Sequence, residues 1–243
     1  MKTKRLLLPA LIAVLLCFCI SCFSEWNGIS GKGSLATETR NVKNFTSIEL
    51  QTAANVEIVK GNAFSVNVSD YKNLLQYLKV EVVDNRLIIK RQPFSVNLSN
   101  SKAKVIITMP DPLYSLKLSG SGNIKVRSAF TDMQSLVLSG SGNVEFDGDC
   151  KLNKLDVKIS GSGNIAASGS VQNLYVKISG SGNLLFSQLK AKNGNCAISG
   201  SGNMHVMIEN KLEASVSGSG DIIYSGNPSV KSNVSGSGHV KHQ

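Results

Sequence analysis

Leu118-Ser119-Gly120-Ser121-Gly122-Asn123-Ile124 decides how this chain is read, because the phrase recurs. Ser-Gly-Ser-Gly begins at Ser119, Ser139, Ser160, Ser179, Ser199, Ser217 and Ser235, in steps of 20, 21, 19, 20, 18 and 18 residues. An aliphatic residue precedes every copy, from Leu118 to Val234, and Ile, Val, Leu or Met follows, from Ile124 to Val240. The position between is Asn123, Asn143, Asn164, Asn183 and Asn203, then Asp221 and His239. A fixed period near 20 residues marks stacked repeats.

Helical repeats do not suit this pattern. Paired glycines would each cost about 1 kcal/mol in a helix, and the apolar residues alternate, as in Leu116-Lys117-Leu118 and Ile124-Lys125-Val126. Period two is strand-like. One unit is too small to bury its own apolar face, whereas stacked units close a core. The expected fold is all-β, a parallel β-helix with coils of about 20 residues. At about 4.8 Å per coil the repeats span a rod segment of roughly 30 Å.

Parity assigns the faces. With the chain extended, Leu116, Leu118, Gly120, Gly122, Ile124 and Val126 point inward, and Lys117, Ser119, Ser121, Asn123 and Lys125 outward. Inward glycines permit close backbone approach or a corner. The outward residues stack into ladders, making Ser121, Asn123, Ser141, Asn143, Ser162, Asn164, Ser181, Asn183, Ser201 and Asn203 the candidate surface. Such ladders can hold coils together or present a regular polar face to a ligand. The spacers 127–135, 147–154, 166–173 and 187–195 are expected as turns on one edge, and the polar ending 237–243 as a cap on the stack.

The whole chain has 243 residues, 42% hydrophobic and 17% charged, too apolar and too lightly charged for disorder. Residues 1–21 read as a secretory signal: Lys2, Lys4 and Arg5, then a mostly apolar run from Leu6 to Ile20. That run is shorter than the roughly 20 residues of a spanning helix. Cys19-Ile20-Ser21-Cys22 resembles a bacterial lipoprotein box, with Cys22 as the lipidated residue behind the small Ser21. The box departs from the usual pattern in Cys19, where Leu is common. An ordinary cleaved signal and an uncleaved anchor are the alternatives. Several acyl chains on one cysteine would give stable membrane attachment. Residues 22–40 show no periodicity and are expected as a tether.

Without residues 1–21 the chain keeps 23 basic and 16 acidic residues, a formal +7 from +10. The excess is scattered lysine, consistent with a solvated face or with attraction to anionic glycans or headgroups. An exported chain without basic clusters or interleaved aromatics is not expected to bind nucleic acid. Cys150 and Cys196 occupy different places in the repeat, and are expected as buried free thiols.

Catalytic and metal signals are sparse. Glu145-Phe146-Asp147-Gly148-Asp149 is the densest acidic spot, but lacks the ligand count of a calcium loop. His205, His239 and His242 are dispersed, and Arg127 is the sole arginine of the repeats. The Gly-Ser-Gly phrases are not nucleophile elbows. No cofactor and no catalytic residue is expected.

The front part, 41–112, is β-rich as well, with strands at Ser47–Leu50, Val56–Val59, Ser65–Val68, Leu78–Val83, Arg86–Lys90 and Lys104–Thr108. Asp84-Asn85 reads as a hairpin turn, and Tyr71–Tyr77 as a helical stretch with Leu74 and Leu75 for the core. No linker separates it from the seven repeats of 113–243, so 41–243 is read as one domain. Thr52-Ala53-Ala54-Asn55-Val56-Glu57-Ile58, then Ile107-Thr108-Met109-Pro110, then Leu118-Ser119-Gly120-Ser121-Gly122-Asn123-Ile124 and its copies resemble the auto-transporter adhesin head family, the GIN domain. That resemblance covers about 41–243 and implies a right-handed parallel β-helix in an envelope protein that carries a lipoprotein signal.

The resulting expectation is a non-enzymatic outer-membrane lipoprotein, an adhesin or interaction module for a glycan or surface protein. It could face the periplasm or the cell surface. A periplasmic structural or assembly module is the second reading, and a polysaccharide-active enzyme the third.

Overall fold

In the computed structural model residues 28–243 are described; Cys22 and the segment 1–21 expected to be a signal lie outside them. Two columns of parallel strands run the length of the molecule, joined in the coils of the repeat by the Ser-Gly-Ser-Gly bend. The first column stacks Arg86–Arg91, Ser47–Leu50, Ser115–Leu118, Ser135–Leu138 and the second half of Cys150–Ile159. It continues through Ile165–Ile178, Leu184–Ile198, Met204–Val216 and Ser229–Val234. The second column begins at Lys104–Met109 on Asn55–Lys60, proceeds through Ile124–Val126 and Val144–Phe146, and ends at Ile222–Ser225 and Val240–His242. This is the parallel β-solenoid that the 20-residue period predicts.

The register keeps like residues in line. Leu118, Leu138, Ile159, Ile178, Ile198, Val216 and Val234 pair in succession, as do Ile124, Val144, Ile165, Leu184, Met204, Ile222 and Val240. Leu116, Leu118, Gly122, Ile124 and Val126 are buried, as parity requires, while Gly120, also expected inward, is half-buried at the bend. One hydrophobic cluster runs from Phe45 to Ile222, so each coil gains its stability from its neighbours.

The two ends differ. At the front the parallel order gives way to antiparallel strands. Leu78–Val83 folds back on Arg86–Arg91, through Asp84 and Asn85 at φ 50 and 58, the left-handed turn that Asp-Asn favours. Ser65–Tyr71 covers Lys104–Met109, and Leu35–Arg40 covers Ser65–Tyr71. At the far end Ser229–Val234 and Val240–His242 pair on one side only, leaving Val230 and Val234 exposed. Lys231 and Lys241 occupy those open edges, where charge discourages further pairing.

Three expectations need correction. The supposed tether 22–40 is structured from Ile29 on: Ile29–Ser30 pairs with Leu98–Ser99, and Leu35–Arg40 is an edge strand. Its outer face is polar and it is held by pairing. Thr37 Oγ1 lies 2.7 Å from Ser69 Oγ, and Thr39 Oγ1 donates to Asn67 Oδ1 at 2.8 Å. No apolar alternation is needed there. The helical stretch shrinks to a single 3₁₀ turn, Leu75–Tyr77, because the preceding strand runs on to Tyr71; so short a run cannot propagate a helix. Leu74 and Leu75 are nonetheless buried. Finally, 166–173 and 187–195 lie inside the long strands Ile165–Ile178 and Leu184–Ile198 and not in turns. Pairing to the neighbouring coil, as of Ser170 on Lys190 and Asn173 on Asn193, carries strand structure through the spacers, while a register shift after Ala166 and Gly169 at φ 114 bend the chain there.

Candidate functional site

The asparagines of the repeat form one hydrogen-bonded line. Asn123 Nδ2 donates to Asn55 Oδ1 at 2.9 Å. Asn143 donates to Asn123 Oδ1 from its backbone N–H and its Nδ2, at 3.0 and 3.1 Å. Asn164 does the same to Asn143 Oδ1, both at 3.0 Å. Asn183 Nδ2 donates to Asn164 Oδ1 at 2.9 Å, and Asn203 closes on Asn183 Oδ1 at 2.9 and 3.3 Å. The departures at Asp221 and His239 continue the line: the Asp221 backbone N–H donates to Asn203 Oδ1, and that of His239 to Asp221 Oδ1. In the interior of this line each Oδ1 accepts at least once and each Nδ2 is committed to the previous coil. The asparagines are therefore occupied in holding the bends together.

The serines behave differently. Ser121, Ser141, Ser162, Ser181 and Ser201 form an exposed column. Among the described residues none of their hydroxyls bonds to a neighbouring coil, so the expected exchange belongs to the asparagines alone.

Between these columns the glycines bring backbone onto backbone. A Cβ at Gly140 or Gly142 would overlap the carbonyl oxygen of Gly120 or Gly122 one coil below. Beneath Gly120 and Gly122 lie Thr52 and Ala54, and Leu118 pairs with Leu50 as Ile124 pairs with Val56. Residues 50–56 are thus another bend of the same kind, with side chains where the repeats have glycine. The coil below supplies no matching bend, because Arg86–Arg91 and Lys104–Met109 are separate strands joined by a longer excursion. Spacing alone could have found it: Leu50 to Val56 matches Leu118 to Ile124.

The acidic spot is neutralised by its neighbours. Arg127 bonds Asp147 Oδ2 at 2.6 Å and Glu57 Oε1 at 3.0 Å, while Lys125 bonds Glu145 at 3.1 Å and Asp147 at 3.2 Å. Hydrogen bonds from Arg127 and Lys104 hold Glu57 below the usual carboxylate range. Burial pushes Asp147 up, but Arg127 and Lys125 outweigh it and leave it lowered. Asp149 accepts from Ser168 Oγ at 3.0 Å. Among the described residues no three His, Cys, Asp or Glu side chains gather as a metal would require.

Cys150 and Cys196 are buried and unpaired with each other. Desolvation, with the Asp149 charge, pushes the Cys150 thiol up to about 11, and burial alone takes Cys196 up to about 12. Buried thiols of this kind are packing groups and not nucleophiles.

A different outward face, on the strands that precede each bend, carries side chains that sequence reasoning did not single out. Successive coils place Ser115, Ser135, Asp156, Tyr175, Asn195, Glu213 and Lys231 in one column, and Lys117, Val137, Lys158, Lys177, Ala197, Ser215 and Asn233 in the next. Aligning the repeats on their bends would have shown Tyr175 as the one aromatic in its column.

Comparison with known proteins matches residues 44–228 to the family described as "Putative auto-transporter adhesin, head GIN domain". A crystal structure of a "putative adhesin" from Bacteroides fragilis is 25% identical, with a TM-score of 0.84, over 89% of this chain and 100% of that one. A "putative lipid binding protein" from Parabacteroides distasonis is 24% identical over 89% of this chain and 100% of its own, with a TM-score of 0.74. A "putative adhesin" from Parabacteroides merdae is 21% identical over 89% and 99%, with a TM-score of 0.68. The last two likenesses concern the fold. Among curated proteins none matches.

Proposed function

The chain belongs to the GIN-domain family of auto-transporter adhesin heads, and from that premise we propose that it is a non-enzymatic adhesion module of the cell envelope, anchored by lipid on Cys22. The observation that carries this reading is the outward face of the solenoid: side chains in straight columns at about 4.8 Å spacing on a continuous core. Such a face suits recognition of a repetitive surface partner, glycan or protein. The acidic side chains at Glu145 and Asp147 are spent on Lys125 and Arg127, which favours a binding role over a hydrolytic one.

Protease shaving of intact cells, with a Cys22→Ala strain as the unanchored control, tests the reading. Cleavage of the domain on intact cells, with release from the membrane fraction in the Cys22→Ala strain, is the expected result. Protection until the outer membrane is broken would rule out adhesion. A periplasmic assembly module is then the second reading, favoured by Glu25 being the only acidic residue close behind Cys22.

A further inference from the structure

Lys158 and Lys177 are direct register partners on adjacent parallel coils, about 4.8 Å apart. Like charges placed opposite one another in a sheet are destabilising. Neither lysine has a carboxylate within salt-bridge distance among the described residues, whereas nearby Lys154 does, with its Nζ 2.9 Å from Asp156 Oδ2. The pair is flanked in its own column by Val137 and Ala197, neither of which relieves the repulsion. Two residues before Lys177 on the same strand stands Tyr175, 42% exposed. Its register neighbours are Asp156 on one side and Asn195 on the other. Lys154 Nζ lies 5.1 Å from the centre of the Tyr175 ring and steadies it.

Asp156, Lys158, Tyr175, Lys177, Asn195 and Ala197 line a shallow open groove of about 200 Å³. The small Ala197 side chain lines it beside the larger tyrosine and lysines. A second groove of about 210 Å³ begins at the shared Asn195 and continues toward Asn233, so an extended ligand has a path along the face.

We propose that this groove binds an acidic glycan, with a sugar carboxylate bridging Lys158 and Lys177 and a sugar ring resting on Tyr175. The inference rests on the adhesion reading and names its ligand chemistry. A carboxylate supplies the anion that the lysine pair lacks, making charge-assisted hydrogen bonds to both. The exposed ring presents an apolar platform with a polar edge, suited to the C–H face of a pyranose. Asp156, already balanced by Lys154, and the side-chain carbonyl of Asn195, whose Nδ2 is held by Glu213 at 3.1 Å, are placed to accept from ring hydroxyls. The formal +7 of the chain beyond residue 21 favours approach of a polyanion.

The test is calorimetric titration of the purified full-length chain in detergent with polygalacturonate, hyaluronate and polysialate. Neutral dextran and methyl-esterified polygalacturonate serve as references. Binding of at least one acidic glycan is expected, about tenfold or more tighter than either reference. Tyr175→Ala, and Lys158→Ser with Lys177→Ser, should each weaken it about tenfold, and Tyr175→Phe should retain it; circular dichroism checks that each variant folds. A tenfold change is about 1.4 kcal/mol. The proposal is overturned if no acidic glycan exceeds dextran, if the methyl ester binds as well as the acid, or if the variants bind like wild type. It is also overturned if phosphatidylglycerol vesicles bind and the glycans do not. Protection from shaving would sink the adhesion reading while leaving this solution affinity intact, so the two failures are distinguishable.

Discussion

The backbone at Gly122 rests so closely on Ala54 that a Cβ at position 122 would overlap the Ala54 carbonyl oxygen, although Ala54 itself carries a methyl group in the equivalent place one coil earlier. The glycines of the repeat are therefore required by what lies beneath them. All the motif glycines have negative or extended φ; positive φ among glycines is confined to Gly33, Gly169 and Gly226.

Gly122→Ala should accordingly destabilise the domain by about 3 kcal/mol or more, since the obstruction is backbone and not a movable side chain. Ala54→Gly should cost only about 1 kcal/mol, the loss of one buried methyl and added unfolded-state freedom. Urea denaturation of the two variants checks the asymmetry; equal losses would refute the stacking argument.

Asn143→Ala removes the acceptor of two bonds from Asn164 and a donor to Asn123. These groups are partly solvated, so the expected cost is about 1–2 kcal/mol, with ligand binding by the domain unchanged. Ser141→Ala, at an exposed hydroxyl without a bond to its neighbours, should shift stability by no more than about 0.5 kcal/mol. A binding defect in Asn143→Ala without a loss of stability would return the asparagine line to the list of ligand contacts.

Native protein at pH 8 should leave Cys150 and Cys196 unmodified by iodoacetamide, since both thiols are buried and held protonated. Unfolding in guanidinium should expose both. Peptide mass spectrometry reads the outcome, and rapid labelling of Cys196 in the native state would contradict its burial.

Acid should loosen the front of the solenoid. Glu49 is almost fully buried, with Lys117 Nζ at 2.9 Å, Arg86 Nη1 at 3.4 Å and Gln51 Nε2 donating at 2.9 Å. Burial pushes its carboxyl up, but the bonds from Gln51 and Lys117 and the charges of Lys117 and Arg86 together hold it below the ordinary value. A folded pKa lower than the unfolded one contributes stability above about pH 4.3 that disappears as pH falls through the folded value. Glu57, Asp147 and Asp221 are lowered as well. The melting temperature should be flat from neutral pH to about pH 5 and drop below about pH 4. Glu49→Gln should lower the neutral value and make the acid drop shallower.

The repeat and its parity made most of the solenoid legible, because a buried column of aliphatic residues allows only one register. Strand boundaries at Ser47–Leu50 and Leu78–Val83 follow from alternation alone. What escaped were elements whose order comes from pairing and not from pattern. Leu35–Arg40 has no buried side-chain row of its own, and the spacer of Ile165–Ile178 pairs as strand across a bend at Gly169. The candidate surface was legible as a ladder. Its division into committed asparagines and uncommitted serines depends on side-chain geometry that spacing does not contain. Lys158 joins Tyr175 and Lys177 only once coils are stacked, being roughly one period before them in the chain.

The antiparallel cover at one end and the one-sided strands at the other give the molecule a root and a tip. Force passed to the chain through residue 28 first meets the pairing of Ile29–Ser30 with Leu98–Ser99 and then Leu35–Arg40, the outermost strand of the root, while Val240–His242 stands at the tip. Strands run across the rod and their hydrogen bonds run along it. A pull between root and tip thus loads one coil's bonds at a time, and the rod should unzip stepwise from the tip. A sideways drag on the Tyr175 face instead spreads across many bonds together, so the solenoid resists shear far better than peeling.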